Sequence, residues 1–336
     1  MEQVKKIVGD IKNGEVKPIY FLMGEEPYYI DSLAGYFEDH LLTEEEKGFN
    51  QSVLYGRDVS IEDIVASAKR FPMMAKYQLL IVKEAQDLSR TIEKLASYAE
   101  HPQPSTILVV CYKYKKIDKR KKLYKAIKAN GSEIFESKKL YDNQVPEWIS
   151  KVLRGKKYTI TPKASLLLVE FLGTDLAKIN NELEKLQLIL PEGSQITPEL
   201  IEENIGISKD FNNFELQKAL GEKDFKKAFR IIDYFSQNPK EHPVLQTTAI
   251  LYSYFTKILK YHSLSNLDKG NVAKTLGVNP FFVKDYSVAA RNYKMKEVSG
   301  IIAKLRELDA KGKGVGANSA LTSDLFKELL IKASGH

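Results

Sequence analysis

The sequence predicts a parallel α/β domain followed by an all-helical region, and three observations carry that prediction. Short apolar runs alternate with segments of helical spacing as far as about residue 140. The alternation stops around 140–148, and everything beyond reads at a helical period. At 336 residues the chain is also too long for one ordinary core, so two or three domains are expected.

Within the first region, 17–23 (KPIYFLM) reads as a strand ending at Gly24, and 28–37 resumes at helical spacing. Gly24 therefore sits at a strand–glycine–helix turn, the place where such folds hold phosphates. A weaker strand follows at 51–54. Ser60 with Asp63 three residues on resembles a capping box, and Ile61, Ile64, Val65 and Ala68 recur at helical spacing, which predicts a helix from about 60 to 70. Pro72 ends it, because a residue before proline is pushed out of the α region and Phe71 must leave the helix. The run 79–82 (LLIV) is short and wholly apolar, as befits a strand buried on both faces. A helix at about 90–98, a strand at 106–111, a basic helix within 113–128 and a strand at 133–136 complete the series.

Between the helix and the strand LLIV lies Pro72-Met73-Met74-Ala75. Methionine pairs commonly fill cores, but two adjacent side chains on a short turn cannot easily both point inward. Paired methionine suits an adaptable docking surface, and Met73 and Met74, with Phe71 beside them, are read that way.

Beyond the alternation, 143–208 reads as a small helical domain. Thr161-Pro162 and Thr197-Pro198 each place a capping residue before a proline in the first helical turn. Leu176, Ile179, Leu183, Leu186 and Leu190 share one helix face. Strongly amphipathic segments near 212–220, 224–236 and 243–262, then shorter ones, form a third domain, 209–336. The stretch 311–318 (KGKGVGAN) reads as a flexible loop.

Composition narrows the function classes. The apolar fraction of 43% and charged fraction of 28% describe an ordinary soluble globular protein. A net charge of +7 permits nucleic-acid contact without demanding it. The single cysteine, Cys111, lies in the apolar run ILVVC and reads as core, so neither a disulfide frame nor a thiolate metal site is expected. No histidine stands at metal-ligand spacing with another histidine or a cysteine. The N-terminus lacks an apolar signal core and no stretch approaches 18 apolar residues, so a cytoplasmic protein without a membrane segment is expected. No nucleophile elbow, metal cluster or intact phosphate loop supports an enzyme, and no cofactor is expected.

An α/β domain, a small helical lid and a helical third domain together resemble the AAA+ clamp-loader family, and its nucleotide motifs are all broken here. The phosphate loop after the first strand would read G-x-x-x-x-G-K-[ST], whereas the chain has Gly24-Glu25-Glu26-Pro27-Tyr28-Tyr29-Ile30-Asp31. Ile30 replaces the phosphate-binding lysine and Asp31 the magnesium-holding hydroxyl, and the carboxylates of Glu25, Glu26 and Asp31 would repel a triphosphate. After LLIV, Lys83 stands where the magnesium-holding aspartate is expected. In the lid, 175–183 looks like the sensor-2 helix, with Ala177 in place of its arginine. These losses imply a relative that has stopped hydrolysing ATP. The segments GEEPYYI, FPMMAKYQLLIVKEA, DKRKKLYKAIK, TDLAKINNELEKL, GVNPFFVKDY and LRELDAKGKG resemble the delta-subunit family of the bacterial DNA polymerase III clamp loader across nearly the whole chain. That resemblance implies a subunit that grips and opens the ring-shaped sliding clamp through an adjacent hydrophobic pair, here Met73 and Met74. It implies gamma/tau-type and delta-prime-type neighbours in a hetero-pentamer, with 209–336 in its collar, and contact with primed DNA through the complex. Any catalytic label would belong to the holoenzyme.

Two rival readings involve DNA. The basic run 113–128, with Tyr112, Tyr114 and Tyr124 interleaved, offers Lys119, Arg120 and Lys122 as phosphate contacts, but charge runs are usually solvated helix faces and that reading is preferred. The segment 272–284 (VAKTLGVNPFFVK) imitates a helix-turn-helix. A recognition helix needs polar side chains near its start, and Pro280, Phe281 and Phe282 stand there instead, better suited to packing a core.

Overall fold

The computed structural model describes residues 2–315 and 322–334, and the chain divides into two compact units, Met1–Leu140 and Tyr141–His336. The first unit contains α1 (Glu2–Lys12), β1 (Ile19–Gly24), α2 (Pro27–His40), α3 (Glu44–Asn50), β2 (Gln51–Tyr55), α4 (Ile61–Ala68) and β3 (Gln78–Lys83). Two 3₁₀ turns follow, Ala85–Leu88 and Ile92–Leu95, then α5 (Ala96–Glu100), β4 (Thr106–Lys113), α6 (Lys122–Ala129) and β5 (Glu133–Ser137).

The five strands form one parallel sheet in the order β2-β3-β4-β1-β5. Alternate residues of each strand point to opposite faces, and both faces are covered. Phe21, Met23, Leu80, Val82, Leu108 and Val110 pack with Ile61, Ile64 and Ala68 of α4 and with Leu123 and Ile127 of α6. On the other face Tyr20, Leu22, Ile81, Val109 and Cys111 pack with Ile7 of α1 and Ile30, Leu33 and Phe37 of α2. Cys111 is buried as expected, and burial pushes its thiol up to about 12, which leaves it unreactive.

Three predicted elements are corrected. The helix expected at 90–98 is a 3₁₀ turn followed by the short α5. The basic helix expected over 113–128 begins only at Lys122, because Lys113 is the last residue of β4, where it pairs with Gly24, and Tyr114 has φ of +59°. Phe281 is 53% exposed rather than packed in a core; Phe282, beside it, is half-buried.

The second unit comprises α7 (Val145–Gly155), β6 (Thr159–Ile160), α8 (Pro162–Leu172), α9 (Leu176–Ile189), β7 (Gln195–Ile196) and α10 (Pro198–Ile205), then α11 (Asn213–Gly221), α12 (Phe225–Gln237), α13 (Val244–His262) and α14 (Lys269–Leu276). A 3₁₀ turn, Pro280–Phe282, leads to α15 (Val283–Asn292), α16 (Met295–Gly312) and α17 (Thr322–Ser334). Against the expectation that this region is wholly helical, β6 and β7 make a two-residue parallel pairing. The apolar face predicted for α9 is buried at Leu176, Ile179, Leu183 and Leu186, while one continuous core runs from Leu216 to Ala333. Lys311 and Gly312 of the expected loop end α16, and its residues 316–318 lie outside the described part. Among the described residues no helix is long and apolar enough to cross a membrane, and no cluster of His, Cys, Asp or Glu could hold a metal ion.

Candidate docking site

The tip after α4 begins with a helix that is closed at both ends. Ser60 accepts from the Asp63 N–H, and the Asp63 carboxylate accepts from the Ser60 N–H at 2.9 Å, so the capping box is complete. At the other end the Gln78 amide nitrogen lies 2.8 Å from the Arg70 carbonyl and 2.6 Å from the Thr106 hydroxyl, which itself donates to the Ala68 carbonyl at 2.8 Å. Carbonyls that a helix end leaves open are thereby satisfied by the first residues of β3 and β4.

The helix ends at Ala68, with Lys69 as its C-cap, slightly before the exit expected from Pro72, and from Phe71 the chain runs without regular structure to β3. Phe71, Met73 and Met74 are 76%, 63% and 104% exposed. Met74 has φ of +52°, in the left-handed region that side-chain-bearing residues seldom occupy. The Met73 main chain is nonetheless held: its N–H donates to Asn50 Oδ1 at 2.6 Å and its carbonyl accepts from Asn50 Nδ2 at 2.9 Å. The backbone of the tip is fixed while its apolar side chains stand in solvent. Such an arrangement loses little backbone conformational entropy when a partner covers it, and the cost that remains lies in the side chains.

The turn after β1 is closed from within. Gly24 has φ of +133°, and a Cβ there would lie 2.0 Å from the Ser137 carbonyl, so only glycine fits. Glu26 is buried and caps α2, its carboxylate accepting from the Tyr28 N–H at 3.1 Å. A negative side chain thus occupies the helix N-terminus where a phosphate would otherwise bind. Ile30 is buried in the core. The remaining charges are paired rather than bare: Asp31 with Lys113 at 2.7 Å, Lys83 with Glu38 at 2.7 Å, and Glu25 with Lys116 at 3.3 Å. Asp31 is therefore part of an ion pair, a correction to the picture of a purely repulsive acidic loop. In the second unit Ala177 is exposed at the start of α9, whose N-cap is Asp175.

Lys119, Arg120 and Lys122 are all exposed, the first two in the turn before α6. Arg120 is already committed, with its Nη2 2.7 Å from Asp118 Oδ2 and its Nε 3.1 Å from Asp118 Oδ1. Sequence reasoning missed Asn50 and Gln78, which hold the tip, and Lys113, which closes the turn. Asn at the end of a helix carries no signal for a partner 23 positions away. Lys113, the first cation after the apolar strand ILVVC, was a better clue.

The 5-1-4-3-2 parallel order, sandwiched between helices and carrying a strand–glycine–helix turn after β1, defines an AAA+-like α/β domain. The family model for the DNA polymerase III delta subunit matches residues 20–137, and that for the C-terminal domain of the DNA polymerase III delta subunit matches residues 210–329. The chain belongs to the DNA polymerase III delta subunit family. It is 28% identical to DNA polymerase III subunit delta of Bacillus subtilis (strain 168), over 96% of this chain and 95% of that one. To a probable DNA polymerase III subunit delta of Aquifex aeolicus (strain VF5) it is 22% identical, over 95% and 94%. Among solved structures it matches the Bacillus subtilis DNA clamp loader delta protein with a TM-score of 0.52 and 25% identity, over 99% of this chain and 100% of that one.

Proposed function

We propose that this chain is the clamp-gripping, non-ATPase subunit of a DNA polymerase III clamp loader, which binds a ring-shaped sliding clamp through Met73, Met74 and Phe71 and opens it for loading onto primed DNA. Gamma/tau-type and delta-prime-type subunits complete a hetero-pentamer, with 143–208 as lid and 209–336 as collar, and ATP is bound and hydrolysed by those neighbours. The work is that of DNA replication in the cytoplasm. One observation carries the reading: two adjacent methionines stand in solvent on a backbone that is hydrogen-bonded into the domain. Family membership supports it, and the helix-turn-helix alternative at 272–284 is not favoured.

The test is binding of the full chain to an immobilised sliding clamp, with and without Met73→Ala/Met74→Ala. Fully burying a methionine is worth about 1.5–3 kcal/mol, and since alanine keeps part of that burial, truncating both should remove about 2–4 kcal/mol, or roughly 30- to 1000-fold in affinity. Because both side chains are exposed, it should melt within a few degrees of the parent. A variant that unfolds, or that binds the clamp like the parent, overturns the proposal.

A further inference from the structure

The last two residues of α3 do opposite things. Asn50 is 4% exposed, and its amide brackets a single residue of the tip, accepting from the Met73 N–H at 2.6 Å and donating to the Met73 carbonyl at 2.9 Å; it also donates to the Glu46 carbonyl at 3.2 Å. Phe49, immediately before it, is 77% exposed. Asn50 thus offers the irregular tip what a neighbouring strand offers an edge, one acceptor and one donor to the same peptide residue. The next residue, Met74, keeps a left-handed backbone that persists only where the surroundings hold it. Phe49 gains little from the fold at that exposure and adds an aromatic ring one residue from the latch.

We infer that the docking surface is composite: Asn50 is a positioning residue that keeps the Met73–Met74 turn in its presented form before a partner arrives, and Phe49 is a further apolar contact for that same partner, the sliding clamp. The inference rests on the clamp-binding reading of the tip. The two residues act at different steps. Without Asn50 the tip divides its population among several turns, and apparent affinity falls with the competent fraction, chiefly through slower association. Without Phe49 the tip is intact and contact area is lost, which speeds dissociation.

The experiment measures association and dissociation of the full-length chain on immobilised sliding clamp, with a melting temperature for each protein. Asn50→Ala should slow association about tenfold and leave dissociation within about twofold. Asn50→Asp keeps the acceptor for the Met73 N–H and loses the donor, so its association rate should fall between those of Asn50→Ala and the parent. Phe49→Ala should speed dissociation about tenfold at an unchanged melting temperature. If Asn50→Ala is too unstable to assay, the Asp variant decides in its place. Should Met73→Ala/Met74→Ala bind like the parent, the clamp reading itself fails. Should that double variant lose binding while the Asn50 and Phe49 variants bind like the parent, or should the Asn50 effect lie in dissociation alone, the composite surface is wrong.

Discussion

Lys113 spans two carboxylates, its Nζ lying 2.7 Å from Asp31 Oδ1 and 2.6 Å from Glu84 Oε1, so that one ammonium at the end of β4 ties α2 to the turn after β3. Burial alone pulls the Lys113 pKa down, but the bonds to Asp31 and Glu84 more than offset it and the net shift is upward. Burial likewise raises Glu84, and Lys113 and Gln86 reverse that, holding its carboxyl below the usual range. The Gln86 amide completes the group by accepting from the Lys113 N–H at 3.2 Å.

With these charges satisfied and Glu26 on the helix N-terminus, the first prediction is that the isolated chain does not bind Mg-ATP. Titration calorimetry should record no binding heat. A micromolar dissociation constant would require a phosphate site other than the turn at Gly24 and would sink the prediction.

Met74 carries its side chain on a left-handed backbone, which costs on the order of 1 kcal/mol for an ordinary residue and less for asparagine. Met74→Asn should therefore raise the melting temperature slightly, or leave it unchanged, while weakening clamp binding. The opposite pattern, lower stability with full binding, would mean that the Met74 side chain serves the fold.

Glu170 on α8 accepts from the N–H of Asn213, the first residue of α11, at 2.6 Å. Burial pushes its carboxyl from 4.5 up to about 7, although bonds from Asn213 and Phe214 act in the lowering direction. An acid raised in the fold holds a proton that the unfolded chain releases, so its contribution is full below about pH 4.5 and is lost as pH rises through about 7. From about pH 5 to about pH 8 the parent should lose stability relative to Glu170→Gln by on the order of 3 kcal/mol, since the glutamine keeps an acceptor and cannot ionise. Melting curves of the two proteins across that range measure it; parallel pH profiles would remove Glu170 as the cause.

For the basic run, Arg120 spends its charge on Asp118, whose carboxyl is lowered to about 2 by hydrogen bonds from the Arg120 side chain and backbone. Charge reversal at Lys119, Arg120 and Lys122 should leave DNA binding by the assembled loader and its salt dependence nearly unchanged. If these residues touch phosphates instead, the salt slope will drop by roughly one unit per cation removed.

Local chemistry was legible where it is written in adjacent residues. The Ser60–Asp63 box, the buried strand around LLIV and the Thr161–Pro162 start of α8 all follow from short-range pattern, and the alternation of strands and helices gave the parallel sheet. The exposed tip was legible for the same reason. What failed depended on distant partners: the 113–128 helix shortens because Lys113 and Gly24 share a ladder, and α5 shortens because the segment before it is wound as 3₁₀. The helices α1 and α3 were not foreseen, and Asn50 became visible as a latch only once α3 lay against the tip.

The route from the tip into the sheet has a mechanical meaning. Residues 75–77 lead from Met74 directly into β3, whose register runs along β2 on one side and β4 on the other over nearly its whole length. A pull on the methionines directed along β3 loads those two ladders in shear, many main-chain bonds at once, where a pull on a hairpin edge would peel bonds singly. A tip gripped by a partner, as proposed above, would thus be the end of a stiff lever, able to pass strain outward before the domain behind it yields.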